Sequence, residues 1–150
     1  LPMIKKILVP VDGSAQSIRA AKMAATVAPA EGGEIHILNI VKPSSGDYSG
    51  VGFEGFQLPQ ELAEKVNHEW EKVARDIVNK VASELKDQKV QVHCDIAKGD
   101  PVSIICKVAE EGRFDLISIG SRGIGGVTGV LGSISSRVSQ QCTCPVLINH

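Results

Sequence analysis

The residues with the clearest chemical potential form a glycine-rich run from Gly120 to Ser133. Six glycines lie in this run, and a serine stands near each of its ends. Glycine backbone N–H groups can turn toward one point without a Cβ in the way, and a helix predicted to begin just after the run adds partial positive charge. This combination predicts a cradle for phosphate oxygens. A mobile glycine-rich surface loop is the alternative that the glycines alone leave open.

A second candidate is Asp12, which follows an apolar run near the start of the chain. Its carboxylate would accept hydrogen bonds from ribose hydroxyls, and a nucleotide site combines such a group with a phosphate cradle at a neighbouring strand end. A turn residue that caps the following helix is the alternative role. The sequence contains neither the Gly-Lys-Ser/Thr pattern of a Walker loop nor a dinucleotide fingerprint after the first strand.

The hydrophobic pattern predicts elements that would position these residues. Predicted strands cover residues 4–11, 34–41, 89–96, 115–119 and 145–148, and predicted helices cover 15–28, 60–88, 102–111 and 133–141. Strands separated by helices form a parallel sheet with right-handed crossovers and helices on both faces. Ligands bind such sheets beyond the carboxyl ends of the strands. We therefore expect Asp12, the segment Asn39-Ile40-Val41 and the glycine run to converge on one crevice.

Two further stretches are informative. Apolar residues recur along one face of the longest predicted helix, at Leu62, Val66, Trp70, Val73, Ile77, Val81 and Leu85. The preceding segment, 42–59, is rich in Gly, Ser and Pro but carries three aromatic residues. These aromatics favour a loop that folds back over something, and both its own core and a ligand remain open.

Composition and charge limit the range of functions. The chain has 150 residues, 43% of them hydrophobic, and we predict a single domain over residues 3–150. A net charge of −1 argues against a nucleic-acid or anionic-membrane partner. No apolar run approaches 18 residues and no signal peptide is visible, so we predict a cytoplasmic protein. Leu1 and Pro2 precede Met3 and are interpreted as an expression scar.

The four cysteines are predicted to be reduced. Cys94 and Cys106 lie in apolar patterns that are typical of core thiols. Cys142 and Cys144 are close together, but a zinc site usually requires a second such pair, which the sequence lacks. We therefore predict structural thiols in a reducing compartment and no metal site.

Four segments in order resemble the universal stress protein family, and the resemblance covers nearly the whole chain. They are Lys6 to Ser14, Gly99-Asp100-Pro101, Asp115 to Gly123, and Gly132-Ser133 followed by Cys144 to Leu147. This resemblance implies an α/β fold, a Rossmann-like doubly wound five-stranded parallel sheet with strand order 3-2-1-4-5 and helices on both faces. It also implies a homodimer that pairs through the last strand, Val146 to Ile148, since an exposed edge strand is available for pairing.

The family includes members that bind ATP and members that do not. ATP binders have Gly, two residues, Gly, nine residues, and then Gly followed by Ser or Thr. Here only eight residues, 124–131, separate Gly123 from Gly132. Flexible glycines within this segment would absorb the missing residue, whereas a shifted helix start would move Ser133 away from the phosphates. We predict binding of ATP or AMP, with any Mg²⁺ held mainly by the phosphates.

Position in the family motif predicts ten binding residues. Asp12 would contact the ribose or the adenine side of the nucleotide, and the Ile40 backbone would hydrogen-bond the adenine edge. Pro10 and Val11 would pack against the base. The residues predicted around the phosphates are Gly120, Arg122, Gly123, Gly132, Ser133 and Ser135. Arg122 is the only cation in its loop and suits a phosphate, although a solvated surface arginine is the alternative.

Three functions follow from this resemblance and these residues. The first is an ATP-binding regulatory protein of the stress response, and the second is a nucleotide-free dimer that acts through protein partners. The third is a slow ATPase, but hydrolysis requires a positioned base and none of the four histidines lies in the glycine run. We predict a regulatory protein rather than an enzyme, with no catalytic residues.

Overall fold

In this computed structural model, which describes residues 3–41, 59–127 and 129–150, five parallel strands alternate with four helices. The strands are β1 (Lys6–Pro10), β2 (Glu34–Val41), β3 (Gln91–Lys98), β4 (Leu116–Gly120) and β5 (Val146–Asn149). The helices are α1 (Ala15–Val27), α2 (Gln60–Ser83), α3 (Pro101–Glu111) and α4 (Ser133–Gln141). The predicted aromatic loop at 42–58 lies outside the described residues.

The strands form one sheet in the order β3-β2-β1-β4-β5, with all neighbours parallel. This order confirms the doubly wound, Rossmann-like architecture. One buried cluster, which includes Ile7 and Ile35, packs against α1 and α2, and a second, which includes Leu8 and Ile117, packs against α3 and α4. Because successive residues of a strand face opposite sides, each inner strand supplies both cores. The strand order reverses between β1 and β4, which places the switch point at their carboxyl ends.

Side chains cap the first turns of α1 and α3 but not the first turn of α4. Ser14 caps α1, since its Oγ accepts a hydrogen bond from the Ser17 N–H at 3.1 Å. Asp100 caps α3 through the Ser103 N–H at 3.0 Å, with Pro101 in the first turn. Helix α4 differs because its N-cap is Gly132, which makes no side-chain hydrogen bond to the first turn.

Several element boundaries differ from the sequence pattern, and those of β3 and α2 have a visible cause. Strand β3 begins at Gln91 rather than residue 89, because its pairing with β2 starts where the Gln91 N–H reaches the Gly33 carbonyl at 3.0 Å. Helix α2 ends at Ser83 rather than residue 88. There the N–H groups of Glu84 and Leu85 bond carbonyls three residues earlier, so the chain tightens into turns.

Only part of the apolar face of α2 is buried. Val78 and Val81 lie in the core, as does Leu85 just past the end of the helix, whereas Trp70 is 51% exposed and Val73 is 49% exposed. A 24-residue helix is about 36 Å long, while the eight-residue strands beneath it span about 26 Å. The first turns of the helix therefore extend past the sheet that buries the rest. None of the helices in the described ranges combines the length and apolar character needed to cross a bilayer.

Cys106 and Cys142 form a disulfide, so the prediction of four reduced thiols was wrong. Cys106 lies in α3 and Cys142 follows the end of α4, with Cα atoms 5.0 Å apart across 36 residues of sequence. The two helices pack on the same face of the sheet, and this proximity has no local signature in the sequence. Cys94 and Cys144 are free and half-buried, and burial raises the pKa of both thiols.

Candidate functional site

A cavity of about 690 Å³ opens at the carboxyl ends of β1, β2 and β4. This is the switch point, where the ends of the strands diverge from the loops that follow them. All ten residues that the sequence singled out lie on its wall: Pro10, Val11, Asp12, Ile40, Gly120, Arg122, Gly123, Gly132, Ser133 and Ser135. The fold thus brings together groups that are up to 125 positions apart in the chain, from Pro10 to Ser135.

The backbone of Ile40 faces this cavity. The last hydrogen bond between β1 and β2 runs from the Val11 N–H to the Leu38 carbonyl at 2.8 Å. Alternate residues of a strand direct their N–H and C=O groups to the same side, so Ile40 points as Leu38 does. The chain leaves its ladder with β2 after Val11, so no later residue of that segment pairs with Ile40 from that side. The Val11 carbonyl accepts a hydrogen bond from the buried Asn39 side-chain amide at 2.7 Å. The Ile40 donor and acceptor are therefore aimed at the cavity.

Asp12 links the end of β1 to the glycine run. One carboxylate oxygen accepts from the Ser14 N–H at 2.9 Å, and the other accepts from the Ile124 N–H at 3.1 Å. A Cβ placed on Gly123 would overlap the second oxygen. Asp12 therefore makes the turn before α1 and also lies against the loop, so the two roles left open by the sequence are geometrically compatible.

Arg122 lies half-buried on the cavity wall. With the Gln16 amide oriented to satisfy both groups, its oxygen accepts from Arg122 Nη2 at 2.9 Å and from Nε at 3.1 Å. Gln16 belongs to α1, so the guanidinium is held between that helix and the loop rather than fully solvated. A guanidinium has five N–H donors, more than one amide oxygen engages, and this leaves donors for an anion.

The start of α4 is attached to the end of β4. The Ser121 carbonyl accepts from the Gly132 N–H at 2.6 Å and from the Ser135 hydroxyl at 2.8 Å. Between these anchors, Gly125 and Gly129 have φ angles of 75° and 81°, a conformation that favours glycine. The chain therefore turns at these two glycines, while Gly132 and Ser133 stay beside the cavity. Ser135 is buried and acts by holding this junction.

The sequence reasoning did not identify Gln16 or the apolar rim of the cavity. The rim contains Ile124, Val127 and Val130, whose side chains are 76%, 70% and 60% exposed. The available signal was the presence of large apolar residues between glycines in a loop that would otherwise be polar. Gln16 had no such signal, because its contact with Arg122 joins two elements more than 100 residues apart.

Comparisons with known proteins agree on one family. The sequence model of the universal stress protein family matches residues 3–150. The chain is 32% identical over 150 residues to the universal stress protein YxiE of Bacillus subtilis, covering 97% of this chain and 99% of that protein. Among solved structures, the hypothetical protein MJ0577 superposes with a TM-score of 0.82 at 26% identity, covering 99% of this chain and 96% of the other. A universal stress protein in complex with cAMP superposes with a TM-score of 0.73 at 24% identity, covering 99% of each chain.

Proposed function

We propose that this chain, which belongs to the universal stress protein family, binds an adenine nucleotide in the cavity at the carboxyl ends of β1, β2 and β4. ATP is the ligand that we favour, and its occupancy would regulate a stress response rather than support turnover. The observation that carries the proposal is the uncapped start of α4, which lines one cavity together with the glycine run, Arg122 and Asp12.

We assign the phosphates of the nucleotide to backbone N–H donors and to one cation. The first-turn N–H groups of α4 have no capping side chain, and the helix dipole makes this end attractive to anions. Arg122 adds a full positive charge at the same wall. Among the described residues of the cavity wall, Asp12 is the only carboxylate, which is too few to cage Mg²⁺. Any Mg²⁺ would therefore be held mainly by the phosphates.

We assign the adenine base to the carboxyl end of β2, where the Ile40 backbone has no partner from β1. The Ile40 N–H and C=O form an adjacent donor and acceptor, and the adenine edge offers the complementary pair. Pro10 and Val11 would supply apolar contacts to the ring, and Asp12, which lines the same cavity, is assigned to the sugar between base and phosphates. The structural neighbour solved with cAMP shows that this fold can hold an adenine nucleotide.

The direct test is to identify and titrate the ligand. Untagged protein is denatured, and the supernatant is analysed by ion exchange for released nucleotide. Apo protein is then titrated calorimetrically with ATP and Mg²⁺, and separately with AMP. We expect dissociation constants on the order of micromolar, about −8 kcal/mol, for the preferred nucleotide. Absence of both heat and a shift in melting temperature would sink the proposal.

Replacing Asp12 by alanine tests the ribose side. The variant loses the carboxylate that accepts two backbone N–H groups, so the loop loosens and the sugar contact disappears. We expect ATP affinity to fall about tenfold, or ~1.4 kcal/mol, measured by calorimetry. Asp76→Ala is the matched control, because Asp76 is an exposed aspartate of α2 with the same charge change. Equal affinities for the two variants would contradict the assignment of Asp12.

We expect any hydrolysis to be slow. In the described part of the chain no histidine lines the cavity, and Asp12 is occupied by two N–H groups, so no side chain is placed to activate water. Single-turnover measurements with radiolabelled ATP should give rates far below about 1 s⁻¹, the low end for ordinary enzymes. A faster rate would show that the protein is an ATPase.

Strand β5 is an edge of the sheet and is proposed to pair with a second copy of this chain. The Asn149 carbonyl accepts from the Ser121 N–H on the β4 side, so Ile148 directs its N–H outward. Ile148→Pro removes this donor, and Ile148→Ala is the matched control because it shortens the side chain but keeps the N–H. We expect sedimentation velocity to show dimers for wild type and Ile148→Ala, and monomers for Ile148→Pro. A monomeric wild type, or a dimeric proline variant, would contradict pairing through β5.

A nucleotide-free dimer acting through protein partners is the second candidate. The eight-residue spacing between Gly123 and Gly132 favours it, since ATP binders of the family have nine. In that case the wild type gives no heat with ATP, and one glycine inserted between Gly125 and Gly126 creates binding. Binding by the wild type itself would remove this candidate.

A further inference from the structure

Three side chains with metal-binding atoms lie together near the amino-terminal ends of β2 and β3. His36 and His93 are paired in register, and their rings stack with centroids 4.4 Å apart. His36 Nε2 lies 3.1 Å from Glu34 Oε2. One potential ligand atom from each of the three residues lies within 4.8 Å of the others. Strand pairing therefore produces a cluster of two imidazoles and one carboxylate, although neither strand contains a local metal motif.

We propose that Glu34, His36 and His93 form a binding site for one divalent transition-metal ion of the Zn²⁺ class. Imidazole nitrogens with one carboxylate oxygen suit Zn²⁺, whereas Mg²⁺ and Ca²⁺ prefer sites made of oxygen. Tetrahedral Zn²⁺ places its donor atoms roughly 3.4 Å apart, given metal–ligand distances near 2.0–2.1 Å. The Glu34–His36 pair has nearly this spacing, and His93 is exposed, so its ring can rotate to complete the site. Water fills the fourth position.

Packing restrains the ring of His36. Metal binding at His36 Nε2 replaces its hydrogen bond to Glu34, and the ring proton then lies on Nδ1. The edge of the Phe114 ring packs against His36 with centroids 4.8 Å apart, which restrains the imidazole. This ring packing reduces the side-chain reorganisation that binding requires at His36.

The positive charge of Lys6 disfavours binding of a metal ion at this site. Its ammonium donates to the Gly112 carbonyl at 2.8 Å and lies over the Phe114 ring, 4.6 Å from the centroid. These two contacts direct the ammonium toward neutral partners, but its field still disfavours a second cation nearby. We therefore expect an affinity on the order of micromolar rather than that of a dedicated structural zinc site.

This site is separate from the nucleotide cavity. His36 and Ile40 are four residues apart on β2, which corresponds to roughly 13 Å along the strand. None of the three proposed ligands lines the cavity. Since β3 is an edge strand, a metal ion bridging it to β2 would stabilise that edge of the sheet.

Untagged full-length protein titrated with Zn²⁺ and with Co²⁺ tests the proposal. We expect one ion per chain by calorimetry, a visible Co²⁺ spectrum without a thiolate charge-transfer band, and a melting temperature that rises with Zn²⁺. A thiolate band would instead place the metal on a cysteine and overturn the assignment. Millimolar Mg²⁺ should leave the melting temperature unchanged.

Variants identify the ligands. His93→Ala and the isosteric Glu34→Gln should each weaken Zn²⁺ binding by at least about tenfold. His68→Ala, which removes an exposed histidine of α2, is the matched control and should bind as the wild type does. Melting curves without metal establish that each variant is folded. Undetectable Zn²⁺ binding by the wild type, or wild-type affinity in both ligand variants, would overturn the proposal.

Discussion

Replacement of Gly123 by alanine is expected to weaken ATP binding about 100-fold, or ~2.7 kcal/mol. A Cβ at this position would overlap Asp12 Oδ2, which also accepts the Ile124 N–H. The carboxylate or the loop must therefore move, and either movement displaces groups from the cavity wall. Calorimetric titration with ATP and Mg²⁺ measures the effect.

A double-mutant cycle with Asp12→Ala tests this mechanism. In that background the carboxylate is absent, so the alanine at position 123 no longer meets it and should cost far less. We expect the two substitutions to be strongly non-additive, because they act through one contact. Additive effects would show that Gly123 acts independently of Asp12. Unchanged affinity in Gly123→Ala alone would show that phosphates do not approach this part of the loop.

Replacement of Cys142 by serine is expected to lower the free energy of unfolding by about 2–4 kcal/mol under non-reducing conditions. The disulfide to Cys106 closes a loop with a sequence separation of 36 residues, and the chain-entropy model assigns such a loop about 4 kcal/mol. Urea denaturation at equilibrium measures the change. Reductant should destabilise the wild type by a similar amount and leave Cys142→Ser unaffected.

Cys144→Ser is the matched control for this prediction. Cys144 lies two residues away, is free, and donates through Sγ to the Phe114 carbonyl, a bond that a serine hydroxyl can replace. We expect it to retain most of the stability and its full response to reductant. A wild type that reductant does not destabilise would contradict a stabilising disulfide. Alkylation of the unfolded, non-reduced chain should label only Cys94 and Cys144.

Much of the local structure could be predicted because its causes are local. Ser14, Pro101 and Gly112 mark helix ends through capping and backbone geometry that depend on a few neighbouring residues. The alternation of apolar strands with helices predicts a parallel sheet, and because parallel strands run in one direction their carboxyl ends meet at one edge. The strand order could not be predicted from local causes, because it followed from the resemblance to a family and not from the periodicity of apolar residues.

Apolar periodicity and turn residues are enough to predict an α/β protein with a glycine-rich loop and Asp12 at one edge of a parallel sheet. The packed fold sets the contacts of Asp12 with Ile124, of Arg122 with Gln16, and of Cys106 with Cys142, which span 112, 106 and 36 positions. It also decided that His36 lies beside His93. Apolar spacing and capping act over a few residues, whereas these contacts depend on strand register and on which helices share a face of the sheet, and no local pattern encodes either.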